Sequence, residues 1–477
     1  MRRRTKIICT VGPSSNDWET IRSMHEAGMD VVRINMSHSS HDEAAKTVAW
    51  VRQLNRSLRH TIPILLDTKG PEIRTGERVE PINLVPGAEV LLSGKPRSEE
   101  RPERMTINVG YSDFAKSVRI GDTIRLDNGL INLEVMSEVE HGLVCRVTDG
   151  GELGSRRHVN LPGVHVNLPA ISAQDRADIA FAKEHEINFI AQSFVRSADD
   201  VLAMRELLES SHQWVKIIAK IENHEGVQEA ESIAKVAYGL MVARGDLGIE
   251  MDIAKLPRLQ RQLVDTALRM GRRCVMATHL LESMVENPIP TRAEAIDVAN
   301  AVYEGVDAVL LSSETSIGGR PVAVVDQLRR ILEESERAPG LNFAQSLSTT
   351  DTKQNLARSA VELAERSGAS GIVVVTRSGL MADLVTNCAP KDVPIFAVSN
   401  LGHTLCRLML NRGVYAHRIS FNPNPELTIQ NALDVLCERE GLAESDLLVV
   451  VSDVLTEGAV DSIQLRRASS VQPEIKL

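Results

Sequence analysis

Residues 216–250 read KIIAKIENHEGVQEAESIAKVAYGLMVARGDLGIE, and the fold follows from how that stretch is laid out. Its opening is rich in β-branched residues and reads as a strand, in which side chains alternate between two faces. Lys220 and Glu222 then share one face, while Ile217, Ala219 and Ile221 share the other. A second apolar run, Leu240 to Ala243, ends in Arg244, Gly245 and Asp246. A lysine and two carboxylates at the ends of neighbouring strands can hold a divalent cation and a phosphorylated anion together. Taken alone, the stretch fits a salt-bridge cluster at two strand ends equally well.

Outward from this stretch one pattern repeats: a short apolar strand, a polar loop, an amphipathic helix. Strands are predicted over 6–11, 30–36, 62–67, 188–194, 215–222, 239–244, 273–278 and 307–312. Helices are predicted over 17–27, 41–58, 173–185, 199–210, 256–270, 292–304 and 321–336, with Ser172, Pro257 and Pro321 as start signals. Strands alternating with helices pair in parallel, and eight such units predict a closed (β/α)8 TIM barrel. After the third strand, residues 70–166 change character to short alternating strands split by Asn-Gly and Asp-Gly turns. This is an inserted small all-β domain, expected to act as a lid. Beyond a polar stretch over 339–352, a C-terminal open α/β sheet domain follows. The expected division is a catalytic barrel over 1–69 and 167–340, a lid over 70–166, and a regulatory or subunit-contact domain over 341–477.

Bulk properties narrow the function. The chain has 477 residues, a net charge of −10, 43% hydrophobic and 25% charged residues. That length calls for several domains, and the acidic balance argues against nucleic acid or an anionic membrane as main partner. Six scattered cysteines without a C-x-x-C pair suit a reducing compartment. No apolar run suggests a signal peptide or a membrane span, so a cytoplasmic protein is expected.

In such a barrel the active site is built from loops at the C-terminal ends of the strands. Those ends here carry RINMSHSS, DTKGPEIR, SFVR, KIEN, ARGD, THLLES and SSET. Arg33, Arg74 and Lys220 offer fixed positive charge, and Glu222 and Asp246 offer hard oxygens for Mg²⁺ or Mn²⁺. Gly245 permits close backbone approach to an anion, and Thr278 carries a hydroxyl that can relay a proton. Asn35, Ser37, Asp67 and Thr68 form an oxygen cage with one formal charge, suited to a monovalent cation. Residue types of this kind predict phosphoryl transfer. Duller accounts stand beside these: Arg33 pairing with Asp67, Asn35 and Ser37 capping the next helix, Lys69 and Glu72 as loop charges. His38 and His41 lack the surrounding ligands a zinc site needs.

The motifs KIICTVGPSS, VVRINMSHSS, LLDTKGPEIRTG, VNLPGVHVNLP, IIAKIENHEGV, GLMVARGDLG, ATHLLESM, NPIPTRAEAIDVANAV and DAVLLSSET resemble the pyruvate kinase family along essentially the whole chain. The resemblance implies phosphoryl transfer from phosphoenolpyruvate to ADP, giving pyruvate and ATP in glycolysis, usually in a homotetramer. It also implies that Arg33 and Lys220 act on the phosphoryl group, and that Glu222 and Asp246 ligate Mg²⁺ or Mn²⁺. Gly245, Asp246 and Thr278 would hold the substrate carboxylate, with Thr278 near the protonated carbon. Asn35, Ser37, Asp67 and Thr68 would hold K⁺, and Asn35, Arg74 and Arg157 would serve the nucleotide. A glutamate at position 72 goes with K⁺ dependence in this family.

Departures are Arg157 in place of a lysine, His279 and Ser313 beside matched positions, and Leu380 and Met381 after the loop 376–379. With no glycine-rich loop evident in SDVLTEGAVDSI, fructose 1,6-bisphosphate is not expected as effector. Two rivals remain. A metal-dependent aldolase-type barrel would lack the inserted lid and the cation cage. An inactive metabolite-sensing paralogue would have lost Lys220, Glu222 or Asp246.

Overall fold

In the computed structural model eight parallel strands close a barrel, β1 (Lys6–Thr10), β2 (Val31–Asn35), β3 (Ile64–Asp67), β4 (Phe189–Gln192), β5 (Lys216–Ile221), β6 (Gly239–Ala243), β7 (Arg273–Ala277) and β8 (Ala308–Leu311). Each pairs with its sequence neighbour, and β1 closes the ring against β8. The structure describes residues 2–95, 105–140, 142–347, 351–452 and 462–468. Strands are up to two residues shorter at either end than the apolar runs predict, the last residues of a run leaving the ladder for the loops.

Period-two alternation sorts the strand residues. Ile8, Val31, Leu65, Ala191, Ile218 and Met241 fill the barrel interior, each essentially buried. Ile217, Ala219 and Ile221 face outward and join the cluster under the surrounding helices, with Val201, Ile233 and Leu263. Such fully buried branched side chains contribute about 1.5–3 kcal/mol each relative to exposure. Two residues beyond the interior layer the inward face turns polar: Val31 gives way to Arg33, Leu65 to Asp67, Ala191 to Ser193, Ile218 to Lys220. The site is therefore the next layer of the same packing.

The helices are set by local signals. Ser172 and Thr291 each start a helix in a reciprocal capping box, with Asp175 and Glu294 returning the bond. Ser40 and Glu43 do the same for His41–Asn55, so that helix is capped by Ser40 and not by Asn35 or Ser37. One expectation needs correction. ARGD is not a strand end followed by loop: Arg244–Glu250 is a short helix, placing Gly245 and Asp246 in its first turn. Two further short helices, His224–Gln228 and Ala230–Val236, connect β5 to β6.

Between β3 and β4 the insertion forms its own six-stranded sheet and a separate two-stranded ribbon. Its core is independent of the barrel's, built on Leu92, Phe114, Ile124, Leu133 and Cys145. One short helix, Phe114–Ser117, interrupts the otherwise β insertion.

The C-terminal sheet orders Val414–Arg418, Ile395–Ser399, Gly371–Val375, Leu447–Ser452 and Ser462–Arg467. The last strand, which the sequence pattern does not reveal, runs antiparallel as an edge. Residues 453–461, within the stretch read for an effector loop, lie outside the described residues, as do 348–350 of the polar stretch before this domain.

Candidate active site

The polar layer at the strand ends is organised by Asp67. Its Oδ2 accepts from Arg33 Nε at 2.7 Å and its Oδ1 from Lys220 Nζ at 3.0 Å. The Lys220 ammonium also meets Glu222 Oε1 at 3.0 Å and donates to Ser193 Oγ at 2.8 Å. Burial works to raise the Asp67 carboxyl, yet the Arg33 and Lys220 cations outweigh it and hold Asp67 below its ordinary value. Burial disfavours the Lys220 charge, but Asp67 and Glu222 together hold it well above the ordinary lysine range. Both charges are thus fixed before any substrate arrives.

Glu222 behaves differently. Burial raises its carboxyl and outweighs the opposing pull of Lys220, with the nearby negative charge of Asp246 adding to the rise. Its Oε2 accepts from the backbone amide of Phe194 at 2.8 Å. Glu222 and Asp246, at the ends of adjacent strands, form a hard donor set short of positive charge. A divalent cation fits that set.

Asn35 and Asp67 are register partners at the ends of β2 and β3. Asn35 and Ser37 line the cleft, while Asp67 and Thr68 are buried below them. Asn35 Oδ1 accepts from the Ser37 amide at 3.1 Å, and the Thr68 carbonyl from Ser193 Oγ at 2.6 Å. With Asp67 already neutralised by two cations, this donor set fits a weakly held monovalent ion and not a divalent one.

The cleft, about 460 Å³, is walled by Arg33, Lys220, Glu222 and Asp246 from the barrel and by Arg156, Arg157 and His158 from the insertion. Arg74 Nε meets Glu72 at 2.6 Å, and Lys69 meets it at 2.9 Å. Burial alone would raise Glu72; its hydrogen bonds to Arg74 and Lys69 hold it below the ordinary range. The reading of Lys69 and Glu72 as isolated loop charges gives way to one interdomain cluster. Arg157 is half-exposed and lies 3.6 Å from Asp127. His41 is engaged by Asp178 at 2.8 Å and stacks on Phe181.

Gly245 and Thr278 are not among the residues lining this cleft. They pair with each other: the Gly245 amide donates to Thr278 Oγ1 at 2.7 Å. A Cβ on Gly245 would meet His279 Nε2 at 3.3 Å, a tight approach that the exposed His279 side chain would have to yield to. Thr278 and His279 have φ of 69° and 52°, a conformation that β-branched threonine adopts only under constraint. Arg244 supplies it, donating to the Thr278 carbonyl at 2.6 Å and to Asp297 at 2.7 Å. Phe194 is held likewise at φ 54° while its amide serves Glu222.

Residue-type reasoning passed over Ser193, Arg244, Phe194 and His158. Period-two alternation from Ala191 would have found Ser193. Nothing local announces the others, whose roles come from partners on different strands.

A barrel whose strand ends present two fixed cations, a charge-poor carboxylate pair and a basic roof defines an enzyme class acting on anionic, metal-bound substrates. Sequence comparison narrows the class. The family described as pyruvate kinase, barrel domain, matches residues 2–325, and the pyruvate kinase alpha/beta domain matches 354–465. A Geobacillus stearothermophilus pyruvate kinase is 40% identical over 98% of this chain and 80% of its own length. One from Dictyostelium discoideum is 37% identical over 99% of this chain and 95% of its own. A human pyruvate kinase is 40% identical over 87% of this chain and 75% of its own. The chain belongs to the pyruvate kinase family, whose members generally use metal cofactors. Among the described residues no helix is long and apolar enough to cross a membrane.

Proposed function

We propose that this chain transfers the phosphoryl group of phosphoenolpyruvate to ADP, giving pyruvate and ATP, in the cleft between barrel and insertion. The observation that carries this reading is the Arg33–Asp67–Lys220 array, two cations fixed on one buried carboxylate at the mouth of the barrel. Charge developing on equatorial phosphoryl oxygens needs preorganised cations more than covalent help. Arg33 would bind the substrate phosphate, and Lys220 would stabilise the phosphoryl group in transfer. Glu222 and Asp246 would hold Mg²⁺ or Mn²⁺, which when bound neutralises charge on the substrate carboxylate and enolate oxygens. Asn35, Ser37, Asp67 and Thr68 would hold K⁺. Arg74 and Arg157, with Asn35 beneath, would take the nucleotide phosphates.

Gly245, Asp246 and Thr278 would position the carboxylate. The present Gly245–Thr278 hydrogen bond must then open, or be shared, as substrate enters. Thr278, held in place by Arg244, would stand near the enolate carbon as it takes its proton. The insertion, residues 70–166, would close as a lid on the barrel formed by 1–69 and 167–340. The domain over 341–477 would serve regulation or subunit contact in a cytoplasmic homotetramer.

The deciding assay follows pyruvate formation from phosphoenolpyruvate and ADP, with and without Mg²⁺ and K⁺. Activity requiring both ions is expected. Pyruvate release from a 4-hydroxy-2-oxo acid by carbon–carbon cleavage, with phosphoenolpyruvate left unreacted, would favour an aldolase-type barrel, and no turnover with retained ligand binding would favour a sensing paralogue.

Glu72 tests the K⁺ reading separately. It is the single anion among Lys69, Arg74 and His158, so Glu72→Lys brings a permanent positive charge to the cleft wall near the proposed K⁺ site. The ratio of activity in K⁺ to activity in choline is expected to fall toward one. An unchanged ratio removes Glu72 as a determinant of ion dependence.

A further inference from the structure

On the opposite side of the molecule's chemistry, where the C-terminal sheet domain meets the barrel, three side chains converge that the proposed reaction does not use. His60 precedes β3, His417 lies on the strand Val414–Arg418, and Glu440 ends the helix Pro425–Glu440. One potential ligand atom from each lies within 4.8 Å of the others. Glu440 Oε1 is 3.3 Å from His60 Nε2 and 2.9 Å from His417 Nε2. We propose that His60, His417 and Glu440 form a three-ligand site for a divalent transition metal of the zinc type, bridging the barrel and the C-terminal domain.

Hydrogen bonding leaves the cluster incomplete. His417 and Glu440 are buried; among the described residues His417 Nδ1 has no hydrogen-bond partner, and the 2.9 Å approach of His417 Nε2 to Glu440 Oε1 is not aligned as a hydrogen bond. Buried polar atoms are almost always satisfied, and each orphan costs roughly 1–3 kcal/mol. His60 Nδ1 lies 3.3 Å from the Ala416 carbonyl, which as acceptor selects the Nδ1–H tautomer and turns the Nε2 lone pair toward Glu440. A carbonyl on the far nitrogen is the usual support of a metal-bound imidazole. Burial pushes the two imidazoles down, His60 to about 4 and His417 to about 3, so both are neutral ligands at physiological pH.

Geometry and charge agree with a zinc-type ion. Bonds of about 2.0–2.1 Å in a tetrahedron separate ligand atoms by about 3.3 Å. The two carboxylate–imidazole distances are already close to this, and the two imidazole nitrogens lie within 4.8 Å of each other. Two histidines and a glutamate leave a fourth position for water, reached past His60, whose side chain is 17% exposed. Arg2 and Arg59 oppose a cation, but both bind the other carboxylate oxygen, Oε2, leaving Oε1 to the site. Glu440 also ends a 16-residue helix, where the dipole favours positive charge.

The test uses the full chain, stripped with chelator and loaded with Zn²⁺ in excess Mg²⁺, which occupies Glu222 and Asp246. After desalting, about one zinc per chain is expected, with a thermal midpoint raised by a few degrees. Co²⁺ should give the intense visible bands of tetrahedral coordination. His60→Gln, on the accessible side of the cluster, should weaken Zn²⁺ retention at least about tenfold and abolish the Co²⁺ bands, and Glu440→Gln should do the same. Absence of retained zinc, retention unaffected by His60→Gln, or a weak octahedral Co²⁺ spectrum would each overturn the proposal. The His60 variant keeps the test usable if the buried Glu440 variant fails to fold.

Discussion

Lys220→Ala is expected to lower kcat for phosphoryl transfer by about three orders of magnitude or more, the scale on which a preorganised cation acts on a phosphoryl transition state. The ammonium is not a mobile surface charge: Asp67, Glu222 and Ser193 hold it from three sides within 3.0 Å. Its removal also disturbs the resting protein. Asp67 keeps Arg33, but Glu222 loses the cation paired with it and retains Asp246 as a neighbour. Breaking a buried pair costs about 3–5 kcal/mol when the remaining charge persists, and less when it takes a proton. Glu222, already raised, takes one readily. The variant should therefore fold, with a lowered thermal midpoint that Mg²⁺ partly restores. Far-UV circular dichroism and a coupled pyruvate assay measure both effects. A kcat within tenfold of the unaltered chain would remove Lys220 from the mechanism.

Glu222→Gln is expected to have the second-largest effect, through the metal. An amide cannot supply the anionic oxygen, so the Mg²⁺ needed for half-maximal activity should rise by about a hundredfold. The sharper signature is in pH. Burial and Asp246 raise the Glu222 carboxyl, so a proton competes with the cation. Below that raised value the apparent Mg²⁺ affinity of the unaltered chain should fall about tenfold per pH unit. In Glu222→Gln this dependence should flatten. Without metal the same shift bears on stability: the native state holds a proton that the unfolded state has released. Stability from this group is full below the ordinary glutamate value of 4.5 and is lost as pH rises through the raised one. Thermal melts across that window, with and without Mg²⁺, measure it. A Mg²⁺ titration whose midpoint is independent of pH in both proteins would refute the assignment.

The wider consequence is that the cleft separates two kinds of charge. Arg33, Asp67 and Lys220 neutralise one another in part and stay fixed, whereas Glu222 and Asp246 stay short of a cation. One set suits an anion and the other a metal, and they touch through Lys220. The same contrast recurs at the domain junction, where Arg2 and Arg59 meet one oxygen of Glu440 and leave the other to the imidazoles of His60 and His417.

The chain's own pattern determined the barrel. Alternation of apolar runs with amphipathic helices is a local property, and it located all eight strands to within about two residues at their ends. The same period of two placed Arg33, Asp67 and Lys220 on the inward face, because the alternation that buries Val31, Leu65 and Ile218 cannot do otherwise. The antiparallel edge Ser462–Arg467 was not legible, since a half-exposed edge strand has little apolar signature. The helix Arg244–Glu250 was hidden behind two glycines, which lower helix propensity but do not forbid a helix that tertiary contacts support.

Only the tertiary structure decided how charge is distributed. That Asp67 is shared between Arg33 and Lys220 depends on distances across three strands, and with it the raised carboxyl of Glu222. The strain at Thr278 and Phe194 comes from partners on other loops, Arg244 and Glu222, with no local residue signal. His60, His417 and Glu440 lie hundreds of positions apart in part and meet only because two domains pack. Periodicity is written in neighbouring residues; electrostatics depends on burial and separation, which are set when the chain has closed on itself.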